Sequence, residues 1–480
     1  MPSIITKGAI SAQGFGWSAT SMGGPYYMAS VEISDVSGAS NASNVFLGKL
    51  SNGKIALVGV GGFLGCYSSQ IYLTQIDKKF NATNPAKIIS FSNPVAIGQN
   101  LNVNMDLSDK IYVTYSGNQM AFNQTPAVTY HSHLEDFIES DYSVSIDTTY
   151  NFSFTSGFKS ISCGCCTTTV GFAAASNLTT GALIAAYQYS DAGMPVGNTS
   201  TGSDPAGNAF NVSLTDPSGK IRINRNSLFG SPIGSSISTI SELLYGNTQP
   251  SATSYNQCRR LFYDAPRSRL IMIGTISDGG LPAGLVASLT LSGGTNWIVS
   301  WNREAYTSSK TIYFNNCCVD NSGNLYVVGG SLESNAGIPN VGYIAKYDMS
   351  GNLIWQRQVV LPISAGPTGP IRFNLYSCVI DSYGDLWVSG YFQKNITYFT
   401  YGFVMKVPTD GSKMGTYNVV FSFGTLAISY TNTSSFTDKL PVGVSTSVGS
   451  GTFSVAGTSY TTRGSATSTE TLTFNSVNMP

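Results

Sequence analysis

The sequence predicts an all-β fold: a β-propeller of about seven four-stranded antiparallel blades, with the ring closed by N- and C-terminal strands. Three observations predict it. A hairpin phrase, Asp320-Asn-Ser-Gly-Asn-Leu-Tyr-Val-Val-Gly329, returns 61 residues later as Asp381-Ser-Tyr-Gly-Asp-Leu-Trp-Val-Ser-Gly390. A second phrase, Gly342-Tyr-Ile-Ala-Lys-Tyr347, returns 60 residues on as Gly402-Phe-Val-Met-Lys-Val407. No helical period is sustained anywhere; the one candidate, His133-Leu-Glu-Asp-Phe-Ile-Glu-Ser-Asp141, is long enough for a single turn.

Each repeat reads as four strands. The first is apolar and ends at an Asp-x-x-Gly turn, where Asp accepts hydrogen bonds from the turn's own backbone and Gly takes the positive φ. The second, Leu-Tyr-Val-Val or Leu-Trp-Val-Ser, is nearly all apolar, so both of its faces are covered. The third starts at a Gly. The fourth, Leu353-Ile-Trp-Gln-Arg-Gln-Val359, alternates apolar and polar as an outer strand should.

Weaker copies extend the pattern. Arg269-Leu-Ile-Met-Ile-Gly274 with Gly284-Leu-Val-Ala-Ser-Leu289, and Ser51-Asn-Gly-Lys-Ile-Ala-Leu-Val-Gly59 with Gln70-Ile-Tyr-Leu-Thr-Gln-Ile76, match a second strand and a third. So do residues 108–116, and residues 168–175 with Gly181-Ala-Leu-Ile-Ala-Ala-Tyr187. Blade centres then fall near residues 57, 113, 172, 272, 327 and 387, and the segment from Asn211 to Ile223 fills the wide gap. We read residues 1–480 as a single propeller domain, with 255–421 its best repeats and 1–40 and 425–480 jointly closing the ring in one shared blade. The stretches 190–208 and 425–450 read as insertions.

Charged residues make up only 10% of the chain, with Lys+Arg and Asp+Glu equal at 25 each. That balance gives no basic footprint for nucleic acid and no attraction to an anionic membrane surface. No run of about 18 apolar residues offers a membrane span, and Met1-Pro-Ser-Ile-Ile-Thr-Lys7 lacks the n- and h-regions of a signal peptide. Ser, Thr, Asn and 51 Gly supply the polarity, while 42% hydrophobic content argues against disorder. The nine Asn-x-Ser/Thr sequons, Asn81 and Asn395 among them, follow from this composition. The eight cysteines (66, 163, 165, 166, 258, 317, 318 and 378) fall mainly in short apolar runs, so reduced, buried thiols are expected, with Cys317 and Cys378 in equivalent places. Cys163-Gly-Cys-Cys166 lacks the Cys-x-x-Cys spacing of zinc knuckles.

Few residues suggest chemistry. His131 and His133 are the only histidines; alternating in a strand they share a face, and with Glu135 and Asp136 nearby they are the candidate metal ligands. No other catalytic, cofactor-binding or ligand-binding residue is assigned, and no cofactor is implied. Ser377 to Trp387 departs from the sialidase Asp-box in both of its spacings. P-loop, dinucleotide and Gly-x-Ser-x-Gly signatures are absent, and Gly59-Val-Gly-Gly-Phe-Leu-Gly65 reads as a turn between strands. Arg259-Arg260 and Arg222 with Arg225 read as small basic spots that cap or pair locally. Tyr26-Tyr27 and Tyr398-Phe-Thr-Tyr401 sit in expected loops and could stack on sugar rings, although core packing is the commoner use of aromatics.

The pattern at 319–329 resembles the blades of bacterial β-propeller repeat proteins of the NHL-like and SBBP-like families. Lys7-Gly-Ala-Ile-Ser-Ala-Gln-Gly-Phe-Gly-Trp17 resembles N-terminal segments of bacteriophage tail and appendage proteins. The second resemblance, together with the low charge and the missing signal peptide, implies a virion component, a phage tail or fibre protein made in the host cytoplasm. Its partners would be other virion proteins, a host-surface glycan or receptor, and further copies of itself. A capsid decoration protein, a bacterial surface adhesin and a glycan-cleaving propeller are the alternatives, with an enzyme the minority reading.

Overall fold

The computed structural model describes residues 25–33, 42–61, 67–82, 86–96, 102–106, 108–115, 118–123, 128–133, 140–147, 151–162, 167–189, 197–203, 208–214, 220–227, 237–244, 257–276, 281–292, 296–307, 310–333, 341–361, 372–394, 399–421, 424–433, 437–439, 445–449, 453–455, 466–470 and 472–479. Among them the strands form seven antiparallel sheets. Blade 1 is Ala42–Lys49, Ile55–Gly61, Tyr67–Ile76 and Ala86–Ala96; blade 2 is Asn102–Met105, Ile111–Tyr115, Asn118–Phe122 and Val128–His133. Blade 3 is Ser140–Asp147, Phe152–Ser162, Thr167–Asn177 and Leu183–Tyr189; blade 4 is Gly197–Ser203, Asn208–Leu214, Lys220–Ser227 and Ile237–Leu244. Blade 5 is Gln257–Asp264, Arg269–Ile276, Ala283–Ser292 and Asn296–Tyr306; blade 6 is Lys310–Val319, Leu325–Glu333, Val341–Tyr347 and Leu353–Val360. Blade 7 takes Arg372–Ile380, Leu386–Lys394 and Phe399–Val407, then borrows Tyr26–Ile33 as its fourth strand. The first strand of each blade touches the first strand of the next, and that of blade 7 touches blade 1, so the ring is closed around an axis. The chain is a seven-bladed β-propeller.

Two sequence assignments shift by one hairpin. Residues 167–177 and 183–189 are the third and fourth strands of blade 3, not its second and third. The first and the third hairpins of a blade both close with a tight turn, so an apolar run after a turn does not reveal which hairpin it belongs to. The segment 211–223 does fill blade 4, as its second-to-third strand connection. Residues 134–139, most of the one helical candidate, lie outside the described residues, and 140 already begins a strand.

The turns explain the repeat phrase. Asp320 N bonds Asn324 O, and Gly323 N bonds Asp320 O at φ +87°. This is a three-residue hairpin loop, a type I turn followed by a left-handed residue. The Asp320 carboxylate accepts from Asn324 N at 2.9 Å and from Tyr326 Oη at 3.1 Å. Asp381 repeats this with Asp385 N and Trp387 Nε1, and Asp106 with Lys110 N and Tyr112 Oη. The aromatic six residues after the Asp is therefore part of the turn. Where the left-handed position is not Gly, another residue bears the strain. Phe80 sits there at φ +68°, buried, and its ring stacks on Trp387 of blade 7 at 5.1 Å. A strained backbone thus secures an aromatic contact across the ring closure.

The C-terminal chain is a belt. After blade 7 it turns back as a hairpin, Gly415–Phe421 and Gly424–Asn432, that adds to the outer edge of blade 6. It then pairs Thr437–Lys439 with blade 5, Ser445–Gly449 with blade 4, Phe453–Val455 with blade 3 and Ala466–Glu470 with blade 1. Leu472–Met479 ends the circuit beside the N-terminal strand of blade 7, in register from Ile33↔Leu472 to Tyr26↔Met479. The belt runs around the rim against the blade order, and every pairing is antiparallel. Only blade 2 lacks a belt strand among the described residues. The expected insertion at 425–450 is therefore belt. Outer strands carry unpaired backbone groups that invite aggregation, and the belt satisfies them.

One core cluster spans blades 6 and 7, the belt hairpin and both chain ends; it includes Met28, Phe373, Phe403, Met405, Phe421, Tyr430 and Met479. The closure also holds a fully buried cation. Lys406, opposite Tyr27, places Nζ 3.0 Å from Asp385 and 3.8 Å from Asp381. Burial raises the Asp385 carboxyl above the ordinary range, and the Lys406 charge pulls the other way. Tyr26 Oη donates to Asp385 at 3.2 Å.

Candidate functional site

The seven first strands face the axis, and six of them carry a β-bulge at the same level. The unpaired residues are Val45, Tyr142, Thr199, Arg259, Asn315 and Tyr376. A bulge breaks the in–out alternation and redirects the side chain it carries. The glycine that ends the repeat phrase accommodates it. Gly329 and Gly390 pair with Phe314 and Leu375 beside the bulge, and a Cβ on either would overlap a carbonyl oxygen, that of Tyr313 or of Asn374. Gly59 and Gly274 hold the same register opposite Asn44 and Cys258.

Blades 5 to 7 carry a cation and several aromatic and amide side chains on their first strands. Arg259 is exposed on its bulge and makes no hydrogen bond or ion pair among the described residues. Tyr376 is half-buried and stacks on Tyr391, with centroids 5.4 Å apart and planes 15° apart. Burial raises the Tyr376 hydroxyl well above its ordinary value, the neighbouring Tyr391 and Tyr313 phenols add to this, and Arg259 opposes it. Tyr313 donates to the Asn374 side chain, and Asn315 Nδ2 donates to Leu375 O at 2.8 Å. Ser377 Oγ accepts from Leu47 N of blade 1 at 3.0 Å and from Asn316 of blade 6 at 3.3 Å, tying three blades at the axis.

The residues singled out in the sequence distribute differently. His131 and His133 lie two apart in the fourth strand of blade 2, paired with Met120 and Asn118, at the rim and away from the axis. Glu135 and Asp136 lie outside the described residues. Among the described residues no group of three His, Cys, Asp or Glu side chains is arranged for a metal ion. Cys258, Cys317, Cys318 and Cys378 are free thiols; Cys317 and Cys378 occupy equivalent first-strand places, and burial pushes the Cys317 thiol up to about 12. Cys66 and Cys163-Gly-Cys-Cys166 fall outside the described residues. Tyr26, Tyr27 and Tyr401 are in strands, not loops, because the ring closure and the third strand of blade 7 claim them. Arg259 does not pair locally: the bulge turns it away from its strand neighbours. The signal that could have found it is the glycine at the end of each second strand, which reports a bulge opposite.

No protein-family profile matches the chain, and no curated protein sequence matches it. Among solved structures, a periplasmic gluconolactonase of Pseudomonas aeruginosa aligns over 84% of this chain and 99% of its own, at 9% identity and a TM-score of 0.42. Sqt1 of Chaetomium thermophilum aligns over 77% and 95%, at 9% identity and 0.38. The Nup133 β-propeller domain of Vanderwaltozyma polyspora aligns over 79% and 98%, at 9% identity and 0.33. No helix among the described residues is long and apolar enough to cross a membrane.

Proposed function

We propose that this protein is a structural and recognition component of a virus particle, a bacteriophage tail or fibre protein that displays loops and an axial face on a rigid ring. The belt is the observation that carries this reading. Residues 437–479 return around the rim and end beside the N-terminal strand, so the ring is held by both chain ends and by added outer strands. Such a double closure suits a protein that must resist dissociation outside a cell. The low charge and the Ser/Thr/Asn-rich composition suit the same setting, as does the phrase Lys7–Trp17. Other virion proteins, further copies of this chain and a host-surface glycan are its partners in this reading.

The test is mass spectrometry of gradient-purified particles from the source culture, with copy number measured against the major capsid protein. A fixed low copy number supports a tail or fibre position, and a copy number comparable to the capsid protein transfers the reading to head decoration. Absence from particles overturns the virion reading and brings forward a bacterial adhesin or a glycan-cleaving enzyme, which sugar release distinguishes.

A further inference from the structure

We propose that Cys318 and Cys378 form a disulfide when the folded protein meets a small-molecule disulfide oxidant, stapling blade 6 to blade 7. The inference goes beyond the virion reading and does not depend on it.

Three observations carry it. The first is that the two thiols share one interface. Cys378 is buried in the apolar cluster between blades 6 and 7, and Cys318 packs against that cluster from blade 6. Cys378 Sγ lies 3.9 Å from Tyr326 O, and Tyr326 is the residue that pairs with Cys318 across the first hairpin of blade 6. The two thiols are in hydrogen-bond contact with each other. Beside them Asn316 Nδ2 reaches Ser377 Oγ at 3.3 Å, so the first strands of the two blades are tied at this level.

The second is selectivity. Successive residues of a strand point to opposite faces. Cys317 accordingly faces blade 5, in a cluster with Ile271, Ile273 and Val286, while Cys258 belongs to another cluster within blade 5. The neighbours Cys317 and Cys318 point apart. Among the described residues, only Cys318 and Cys378 bring two thiols to one interface.

The third is access from one side. Cys318 is half-buried and Cys378 is buried, so an oxidant meets Cys318 first and Cys378 answers from within. Burial, with the Cys378 thiol beside it, holds the Cys318 proton on well above the ordinary range, so exchange belongs to the slow end, hours rather than seconds.

With oxidised glutathione the step balances. Cys318 Sγ loses its proton and attacks one glutathione sulfur. The glutathione S–S bond breaks, and the leaving sulfur takes up a proton as a free thiol. Cys378 Sγ then loses its proton and attacks Cys318 Sγ, which forms the protein disulfide and releases the second glutathione thiol. The two cysteines give up two electrons and two protons, and the two glutathione sulfurs gain them.

The full chain, folded, is incubated with oxidised glutathione, digested with trypsin without reductant and read by mass spectrometry. Cleavage after Lys310, Lys346, Arg372 and Lys394 leaves Cys317 and Cys318 in one peptide and Cys378 in another. The expected product is these two peptides joined, and dithiothreitol should separate them. Cys318→Ser should abolish the joined product, and Cys317→Ser should keep it. Cys318 and Cys378 stand 60 positions apart, so the link closes a long loop in the unfolded chain. The oxidised chain should therefore melt about 3 °C or more above the reduced one. No joined product from the folded chain, or one that survives Cys318→Ser, overturns the pairing. A joined product with an unchanged melting temperature overturns the staple.

Discussion

The ring and the belt are both made of antiparallel strands, yet they are held by different forces. The inner ring strands bury most of what they carry: Arg269–Ile276, the second strand of blade 5, is buried at all positions, including its charged first residue. Belt segments are Thr437–Lys439, Ser445–Gly449 and Ala466–Glu470, short and rich in Ser, Thr and charge. Apolar burial, at roughly 25 cal/mol per Å², builds the ring. Backbone hydrogen bonds along otherwise open edges hold these segments, and each adds only about 1 kcal/mol net; the belt hairpin and Met479 are also anchored in the apolar core of blades 6 and 7. The belt therefore works by number and by connection, and the ring supplies the template on which it lies.

Removing the belt is the strongest way to break this contrast. A chain ending after Thr433 loses the outer strands of blades 1, 3, 4, 5 and 7. We expect its melting temperature to fall by about 10 °C or more, or the protein to aggregate through exposed edges. An unchanged transition in calorimetry and light scattering would reduce the belt to ornament.

Lys406→Ala comes next and tests the ring's own lock. It leaves Asp385 buried without its cation, and losses of roughly 3–5 kcal/mol are usual when one partner of a buried pair is removed. Denaturant unfolding measures it. A loss below about 1 kcal/mol would mean that the pair behaves like an exposed one.

Two glycines of one repeat phrase separate steric from conformational cost. Gly390→Ala drives a Cβ into the Asn374 carbonyl and should cost at least the roughly 1–3 kcal/mol of an overpacked site. Gly384→Ala meets nothing within 4 Å and has only its φ of +85° to bear, a cost of about 1–2 kcal/mol. The reverse order, read from unfolding midpoints, would remove the bulge as the reason for the phrase-ending glycine.

The smallest effect concerns pH and a belt residue. Asp438 pairs with Arg303 of blade 5 at 3.6 Å and accepts from Tyr347 of blade 6 at 3.3 Å. Burial pushes its carboxyl up from 3.8 to about 6, against the pull of Arg303 and the Tyr347 hydroxyl. The folded state therefore binds more protons than the unfolded one between those values. Its contribution to stability is complete below about pH 3.8 and is lost as pH rises through about 6. Asp438→Asn should flatten that part of the stability profile; a profile identical to the parent would show that Asp438 does not titrate with folding.

Much of the fold was legible because the repeat phrase encodes geometry residue by residue. Asp320 and Asp381 accept the turn hydrogen bonds, Gly323 and Gly384 take positive φ, and Tyr326 and Trp387 reach back to the Asp. Those are contacts within a few residues, so a single sequence displays them. Blade 3 was misassigned by one hairpin because its turn at 177–181 ends on a glycine as most of the others do, with a loop one residue longer. Arg259 was misread because its exposure depends on a bulge in the pairing with the next strand, which the sequence of its own strand does not display.

The repeating blade, its turns and the near-absence of helix are all written along the chain. They follow from local hydrogen bonding and from the burial demanded by consecutive apolar runs. The path of the belt and the make-up of the axial face emerge at the level of tertiary structure. Polar five-residue strands carry too little hydrophobic pattern to name their partners, and a channel is lined by residues from different blades that meet only when the ring has closed.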